Sequence, residues 1–378
     1  MSAISSRRRS RLSNIIAAQV AAAAPASTGK LEITEIRQFT VREPVSQRSY
    51  NVVRVRTRGG LTGFGEGPPG SDADFARAQK FWMGRPATSY VTTGPSSPLS
   101  GAINMALLDI IGKSCNAPVY RLLGGPTRNK ARAFTSLTGS TTAEKVAGLA
   151  RASAAGYRAF SVAVPPPAAR NQGQAYQRDV RQMLQALRSG SNAAFDFVLE
   201  GGASLTPGDA VSVAATLEPL HPLWFDEPCA VSNLQTIRKI ADESVVPLGF
   251  GHDIGDPGAY QQLLRESLID VVRPDIGREG ITPIRRIAAL AEPYYIAVAP
   301  RHAGGPIATA AALHLAASLP NFFIQHIPLP EAEQDASMRK SLVSEDVERV
   351  KDGFAALPAG PGLGTTVNES ALEKYHAA

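Results

Sequence analysis

Six charged or titratable residues follow short apolar runs at nearly constant spacing along the second half of the sequence. They are Glu200, Asp226, His252, Asp275, Arg301 and His326, and the intervals between them are 26, 26, 23, 26 and 25 residues. Carboxylates and imidazoles can move protons or hold a cation, and a guanidinium binds carboxylates. One polar residue after a strand is ordinary in a loop, but six at this spacing indicate that the fold gathers them.

The segments between these residues predict helices, so that strand, polar loop and helix repeat about eight times. Three of the helices are predicted to open with a capping residue followed by proline, at Thr206-Pro207, Asp256-Pro257 and Thr282-Pro283. A repeat of about 25 residues with eight strands predicts a (β/α)8 barrel over residues 127–330, in which the carboxyl ends of the strands share one mouth. A doubly wound open sheet is the alternative.

Residues 29–126 have a different pattern. Alternating runs such as "LEITEIRQFTV" predict strands, and "SGAINMALLDIIGKS" predicts a helix. This part is interpreted as an α+β unit of about 100 residues that precedes the barrel, and residues 331–378 follow the barrel. The predicted fold class is α/β.

The composition is typical of a soluble globular protein, with 44% hydrophobic and 19% charged residues in 378. The formal net charge is +6, but four of the positive charges are Arg7, Arg8, Arg9 and Arg11 at the N-terminus. The remainder is close to neutral, which argues against a nucleic-acid partner. No apolar run is long enough to predict a membrane span.

Residues 1–28 combine this basic head with an alanine-rich stretch and the small residues "APAST". The segment resembles a twin-arginine export signal. A disordered tail on a cytosolic protein is the alternative, so the sequence leaves the location open between cytoplasmic and exported.

Five longer motifs resemble those of the enolase superfamily, in the same order. They are "GLTGFGEG", "ALLDIIGKSCNAPVYRLLGG", "WFDEP", "RPDIGREGIT" and "APRHAGGPIATAAALHLAASLPNFFIQ". The resemblance covers residues 30–326 and is nearest to the mandelate racemase and sugar-acid dehydratase branch. It implies the fold class of a modified TIM (β/α)8 barrel with an N-terminal α+β capping domain at residues 29–126, and residues 331–378 are then a C-terminal extension that packs on the cap. It implies as well a small carboxylate substrate that loses its α-proton, and a homo-oligomer. It also implies a divalent cation, usually Mg2+, because the enediolate formed needs nearby positive charge.

The resemblance places the three metal ligands at Glu200 in "VLEGG", Asp226 in "WFDEP" and His252 in "GHD". The family has a glutamate at the third position. An imidazole there shifts the preference from Mg2+ toward Mn2+ or another softer metal. Asp253 is an alternative oxygen ligand, and loss of the metal is a further alternative.

The bases implied by the resemblance are only partly matched. Ser161 and Ala163 stand where the family often carries lysines on the second barrel strand. Asp275 on the sixth strand is kept, but Arg301 replaces the histidine of the seventh strand, and a guanidinium is a poor base. We expect an ion pair between Asp275 and Arg301, with Arg301 also binding the substrate carboxylate.

Two histidines are the remaining catalytic candidates. His302 would be the proton carrier if the end of the seventh strand is shifted by one residue. His326 ends the eighth strand, where the family commonly has a glutamate. A structural role is the alternative for His326, because a lone histidine is more often a satisfied structural group than a catalyst.

The loop "REPVSQRSY" joins two strands of the cap, where the family places specificity loops. Arg42, Arg48 and Tyr50 are the predicted contacts to a polar anionic substrate, with a solvated loop as the alternative. Glu66 in "GFGEG" is interpreted as structural.

The candidate residues together predict a divalent-metal-dependent lyase or isomerase, similar to acid-sugar dehydratases, that forms an enediolate. The alternative is a catalytically silent or repurposed family member that binds a ligand without the usual turnover. The missing lysines and the change from histidine to Arg301 motivate this alternative.

Overall fold

The three-dimensional structure is a computed structural model that describes residues 29–92, 94–166, 173–190, 194–231, 234–252, 254 and 257–377. The predictions for residues 1–28, for Asp253 as a metal ligand and for Asp256 as a helix cap lie outside the described residues. Among the helices of the described ranges, none has the length and apolar character that a membrane span requires.

The cap consists of an antiparallel sheet followed by helices. The strands are β1 (Ile33–Arg42), β2 (Ser49–Thr57) and β3 (Thr62–Gly67). The helical segments are the 3-10 turn Gly29–Leu31, α1 (Asp72–Trp82), the 3-10 turn Ala87–Val91, α2 (Ser100–Ser114) and α3 (Val119–Leu122). Helix α2 packs on β3 at Gly63 and Gly65, where a Cβ atom would collide with the helix backbone. These glycines permit the close approach that holds the predicted α+β cap together.

Eight parallel strands follow the cap. They are β4 (Lys130–Leu137), β5 (Ala159–Ala163), β6 (Asp196–Glu200), β7 (Trp224–Asp226), β8 (Leu248–Phe250), β9 (Val271–Val272), β10 (Ala297–Val298) and β11 (Gln325–His326). Strands β4 to β10 pair in chain order, and β11 pairs with β4. Val298 exchanges backbone hydrogen bonds of 2.9 Å with Asn321 and Phe323, just before β11. These bonds connect the two ends of the sheet, as the predicted α/β barrel requires.

The barrel helices alternate with the strands. They are α4 (Thr142–Ala154), α5 (Gln174–Ser189), α6 (Pro207–Leu217), α7 (Leu234–Glu243), α8 (Pro257–Arg265), α9 (Ile276–Glu279), α10 (Ile281–Ala291) and α11 (Pro306–Ser318), with 3-10 turns at Glu218–Leu220 and Glu292–Tyr294. Thr206 caps α6 as predicted, because its Oγ1 accepts from the amide of Asp209 at 3.1 Å. The cap predicted at Thr282 is wrong: α10 already begins at Ile281, and the amide of Thr282 donates to Oδ1 of Asn104 in the cap.

The C-terminal segment contains α12 (Glu333–Leu342), β12 (Val350–Lys351), β13 (Phe354–Ala356) and α13 (Glu369–Lys374). Asp335 accepts from the amides of Val45 and Ser46 at 2.8 and 2.9 Å. The amide of Ala377 donates to the carbonyl of Thr40 at 2.7 Å. Strand β13 also pairs antiparallel with β4. The segment therefore contacts the cap and extends the barrel wall, and the predicted division of the chain does not include this second contact.

Candidate active site

The carboxyl ends of the barrel strands bring the predicted residues to one mouth. Glu200 ends β6 and lies opposite Asp226, the last residue of β7. Asp275 and Arg301 form a parallel bridge just beyond β9 and β10, and His326 ends β11. The regular spacing in the sequence therefore corresponds to one strand, loop and helix for each step around the barrel.

Asp226 is fully buried and surrounded by hydrogen-bond donors. Its Oδ1 accepts from Nε1 of Trp224 at 2.9 Å and from Nε of Arg273 at 3.0 Å. Its Oδ2 lies 3.2 Å from Nε of Arg273 and 3.0 Å from Nε2 of His252. Burial alone would raise the pKa of Asp226, but Arg273 and His252 together hold that pKa below its ordinary value. The carboxylate is therefore a permanent anion whose partners lie within the protein.

The described residues at the mouth do not fit a bound Mg2+ or Mn2+. Within the described ranges, no three histidine, cysteine, aspartate or glutamate side chains are placed so that they could hold a metal ion. This includes the predicted set of Glu200, Asp226 and His252. Oε1 of Glu200 lies 3.3 Å from Oγ of Ser136 on β4, whereas His252 approaches Asp226 from the β8 side. Trp224 donates to Oδ1 of Asp226 and Arg273 donates to both of its oxygens, so few lone pairs are left for a cation.

Asp275 and Arg301 form the expected ion pair. Nη1 of Arg301 lies 3.6 Å from Oδ2 of Asp275. Oδ1 of Asp275 accepts from the amides of Gly277 and Arg278 at 2.9 and 3.2 Å, so Asp275 also caps α9. The Arg301 side chain is 29% exposed. Its guanidinium therefore reaches the mouth, where it can meet a carboxylate.

His302 faces the interior. It is fully buried, and its Nε2 lies 3.2 Å from Oγ1 of Thr309 on α11. Thr309 donates in turn to Glu348 at 2.9 Å. Burial first, and nearby arginines next, lower the pKa of His302 to about 3. His302 would be the proton carrier only if the strand end were shifted by one residue. The structure shows no such shift, because alternation directs Arg301 to the mouth and His302 away from it.

His326 is held in one orientation. Its Nδ1 lies 3.1 Å from the carbonyl oxygen of His302, and its Nε2 lies 3.1 Å from Oγ of Ser136. A carbonyl oxygen only accepts, so Nδ1 carries the proton and Nε2 is the acceptor. Ser161, where the resemblance implies a lysine, donates to Ser136 at 2.8 Å. Burial, followed by the charges of His302 and Arg301, lowers the pKa of His326 well below its usual value, so the ring is neutral.

The loop between β1 and β2 contains the predicted substrate contacts. Arg42 is exposed and Arg48 is partly exposed, so both stay predictions. Tyr50 is only 1% exposed, and its ring packs against Gly305, where a Cβ atom would lie 2.8 Å from the hydroxyl. Tyr50 begins a run of six consecutive buried residues along β2. Tyr50 therefore does not belong to the solvent-facing part of the loop, contrary to the sequence-based expectation.

Glu66 lies beneath the mouth and caps α11. Its Oε2 accepts from the amide of Ile307 at 3.2 Å, and its Oε1 accepts from the amide of Gly305. Burial raises the pKa of Glu66 to about 7, although the nearby Arg339 opposes this rise. These contacts are those of a structural residue.

A cavity of about 760 Å³ lies between the cap and the barrel. Trp82 and Tyr90 of the cap face His252, Arg278 and Arg286 of the barrel across it. This volume is within the usual range for sites that bind small molecules. His252 lines the cavity and also contacts Asp226, so the cavity is continuous with the residues of the mouth.

Sequence reasoning missed Arg273 and Ser136. Arg273 in "DVVRPD" is 1% exposed, and a charged residue directly after an apolar strand is a signal that it needs a buried partner. Ser136 carries no such signal, because a serine in a strand is ordinary. Its partner His326 lies 190 residues further along the chain.

Comparison with known proteins identifies the family. A family model described as "Enolase C-terminal domain-like" matches residues 144–371. A D-galactonate dehydratase family member from Streptomyces bingchenggensis is 27% identical, over 87% of this chain and 90% of the relative. A D-xylonate dehydratase from Haloferax volcanii is also 27% identical, over 91% of this chain and 89% of the relative.

Solved structures show the same fold. A mandelate racemase/muconate lactonizing enzyme from Sulfitobacter sp. matches with a TM-score of 0.82 at 22% identity, over 92% of this chain and 96% of the other. One from Jannaschia sp. CCS1 has a TM-score of 0.78 at 24% identity, over 92% and 98%. None of the relatives named here supports the alternative of a catalytically silent protein. The chain belongs to the enolase superfamily, in the branch of mandelate racemase-like enzymes and sugar-acid dehydratases.

Proposed function

We propose that the protein is a lyase or isomerase that removes the proton next to the carboxylate of a small sugar acid or hydroxy acid. The relatives named above, which include sugar-acid dehydratases, support this reaction class. The observation that carries the proposal is that Arg301 and His326 both lie at the ends of adjacent strand segments of the barrel. Arg301 is a carboxylate-binding group, and His326 presents a neutral proton acceptor.

Arg301 binds the substrate carboxylate. Its guanidinium can form two parallel hydrogen bonds to the two carboxylate oxygens. Asp275 holds the guanidinium at the mouth from one side. When the α-proton leaves, negative charge develops on these oxygens, and a fixed cation beside them stabilises it.

His326 accepts the proton at Nε2. The Cα–H bond breaks, its electron pair moves into the carboxylate to form the enediolate, and His326 becomes an imidazolium. The carbonyl of His302 holds the ring in the required tautomer throughout. In the free protein, the low pKa of His326 makes this histidine a weak base. An anionic substrate beside the ring raises that pKa.

The fate of the proton decides the product. Protonation of the α-carbon from the opposite face, by a donor other than His326, inverts the configuration there. Transfer of the abstracted proton to a departing β-hydroxyl releases water and leaves an enol, which becomes a 2-keto acid. Membership of the family usually implies Mg2+, but the proposed steps include no metal because the donor set does not fit one.

The test is incubation with a panel of sugar acids and hydroxy acids in D2O. Proton NMR is expected to show loss of the α-proton signal for at least one acid, together with a 2-keto acid or an epimer. A panel that includes galactonate, xylonate and mannonate and gives neither exchange nor product would contradict the proposal.

Two further predictions concern the whole protein. We propose a homo-oligomer, because the family resemblance implies one, and light scattering after size-exclusion chromatography measures its mass. The location stays open between cytoplasmic and exported, and N-terminal sequencing of the protein from its native cell tests whether residues 1–28 are removed.

A further inference from the structure

Arg273 is a buried cation directly beneath the mouth. It follows β9 and its guanidinium lies over the rings of Trp224 and Phe134, 5.0 and 5.3 Å from their centroids. Nη1 donates to the carbonyl of Ala299, and Nε donates to Asp226. An arginine side chain stays protonated in proteins. A permanent positive charge is therefore built into the interior of the barrel.

The residues around Arg273 leave room for its ion pair with Asp226. Gly249 lies opposite Asp226 on β8. A Cβ atom at Gly249 would lie 2.7 Å from Nε1 of Trp224 and 2.8 Å from Oδ1 of Asp226, so only glycine leaves room for both groups. The faces of the Trp224 and Phe134 rings further stabilise the guanidinium. Asp226, Trp224 and Arg273 thus form one packed unit whose polar contacts are made within the protein.

A divalent cation and Arg273 would compete for the same carboxylate. A metal ion at Asp226 would have to displace N–H donors from its oxygens, and it would lie a few ångströms from a like charge, which repels it. The position where the family has a third carboxylate is His252, which adds no negative charge when neutral and instead contacts Asp226. Both features lower the affinity of the mouth for a hard cation.

We propose that the guanidinium of Arg273 takes the place of the divalent metal in this barrel, and that the mouth binds neither Mg2+ nor Mn2+. The fixed cation neutralises Asp226, and the positive charge that meets a substrate carboxylate comes from Arg301. This inference concerns cation binding alone, so it is tested separately from the turnover that the proposed function requires.

The first test is metal binding by the wild-type protein. After purification from medium supplemented with Mg2+ and Mn2+, elemental analysis is expected to find far less than one divalent ion per chain. Neither ion and no chelator is expected to shift Tm. One ion per chain that is lost in Asp226→Asn would overturn the proposal. If a substrate is turned over, the same rate with and without chelator is expected, and a metal requirement would overturn the proposal even though the proposed function holds.

The second test separates Arg273 from His252. His252→Glu supplies a third carboxylate but keeps Arg273, so Mg2+ is expected to leave its Tm unchanged. His252→Glu combined with Arg273→Gln removes the competing cation, and Mg2+ is expected to raise its Tm by about 2 °C or more. A Mg2+-dependent rise in the single variant, or none in a folded double variant, would refute the role of Arg273. If the double variant does not fold, the wild-type measurement alone decides.

Discussion

The carbonyl oxygen of His302 lies 3.1 Å from Nδ1 of His326, so the backbone beyond one strand sets the tautomer of a histidine on the next. The assignment of roles follows from this contact. In the proposed reaction His302 acts through its carbonyl as a positioning residue, and Nε2 of His326, which lies 3.1 Å from Oγ of Ser136, accepts the substrate proton.

Replacement of His326 by Asn is expected to slow α-proton exchange by about 10²- to 10⁴-fold, which is the usual contribution of a general base. The amide of Asn can still donate to the carbonyl of His302, so the strand ends stay in place. Exchange rates in D2O and circular dichroism measure the two effects. His221→Asn is the control, because His221 is exposed and its left-handed φ of 46° suits Asn. Equal loss in both variants would contradict the assignment.

Replacement of Arg301 by Met is expected to raise KM roughly 10- to 100-fold, since a hydrogen bond to a charged group contributes about 1.5–3 kcal/mol. Arg301→Lys keeps the charge but not the planar pair of donors, so its KM should lie between that of the wild type and that of Arg301→Met. Steady-state kinetics on the best acid of the panel gives KM. Arg178→Met, at a side chain that is 67% exposed, serves as the control. An unchanged KM in Arg301→Met would show that another group binds the carboxylate.

Glu66 makes stability depend on pH. Burial raises its folded-state pKa from 4.5 to about 7, so the folded protein holds a proton that the unfolded chain has released. The contribution of Glu66 to the free energy of unfolding is therefore fully present below about pH 4.5. It is lost as pH rises to about 7, and the loss is roughly 3 kcal/mol at most. As pH rises from about 5 to about 8, the Tm of Glu66→Gln should fall less than the Tm of the wild type. Parallel Tm profiles for both proteins would contradict a buried, titrating Glu66.

Arg339 connects the C-terminal extension to the cap. Its side chain is 1% exposed and lies 2.6 Å from Glu43, so Arg339→Met leaves that carboxylate buried without its partner. We expect a loss of about 3–5 kcal/mol in the free energy of unfolding. Arg37→Met removes a pair with Glu373 in which both side chains are nearly half exposed, and should cost at most about 1 kcal/mol. Chemical denaturation measures the free energy of unfolding of both variants. Similar losses in the two would refute the importance of burial.

The barrel was predictable from the sequence because each strand ends in an apolar-to-polar change, and the change repeats with the length of one strand-helix unit. This pattern located Glu200, Asp226 and His326 at one mouth. It could not decide between Arg301 and His302, because a shift of one residue reverses which side chain faces inward. That choice depends on backbone hydrogen bonds such as the one from Ile276 to the carbonyl of Arg301.

The partners of the predicted residues were harder to predict than the residues themselves. The family resemblance implied a metal at Asp226, but the structure places Arg273 there, from a strand two positions further around the barrel. Tyr50 belongs to a polar loop sequence, yet it is buried and packs against Gly305 at the start of α11. Contacts of this kind join segments that are far apart in the chain, and local patterns carry no information about them.

The indole ring that donates to Asp226 is also a fluorophore. Trp224 is one of two tryptophans in the chain, and it lies 5.0 Å from the guanidinium of Arg273. Indole emission responds to nearby charge and to water. With Trp82 replaced by Phe, the remaining fluorophore would lie at the floor of the mouth, in contact with the buried ion pair. The barrel thus contains its own spectroscopic reporter for the arrival of a charged ligand.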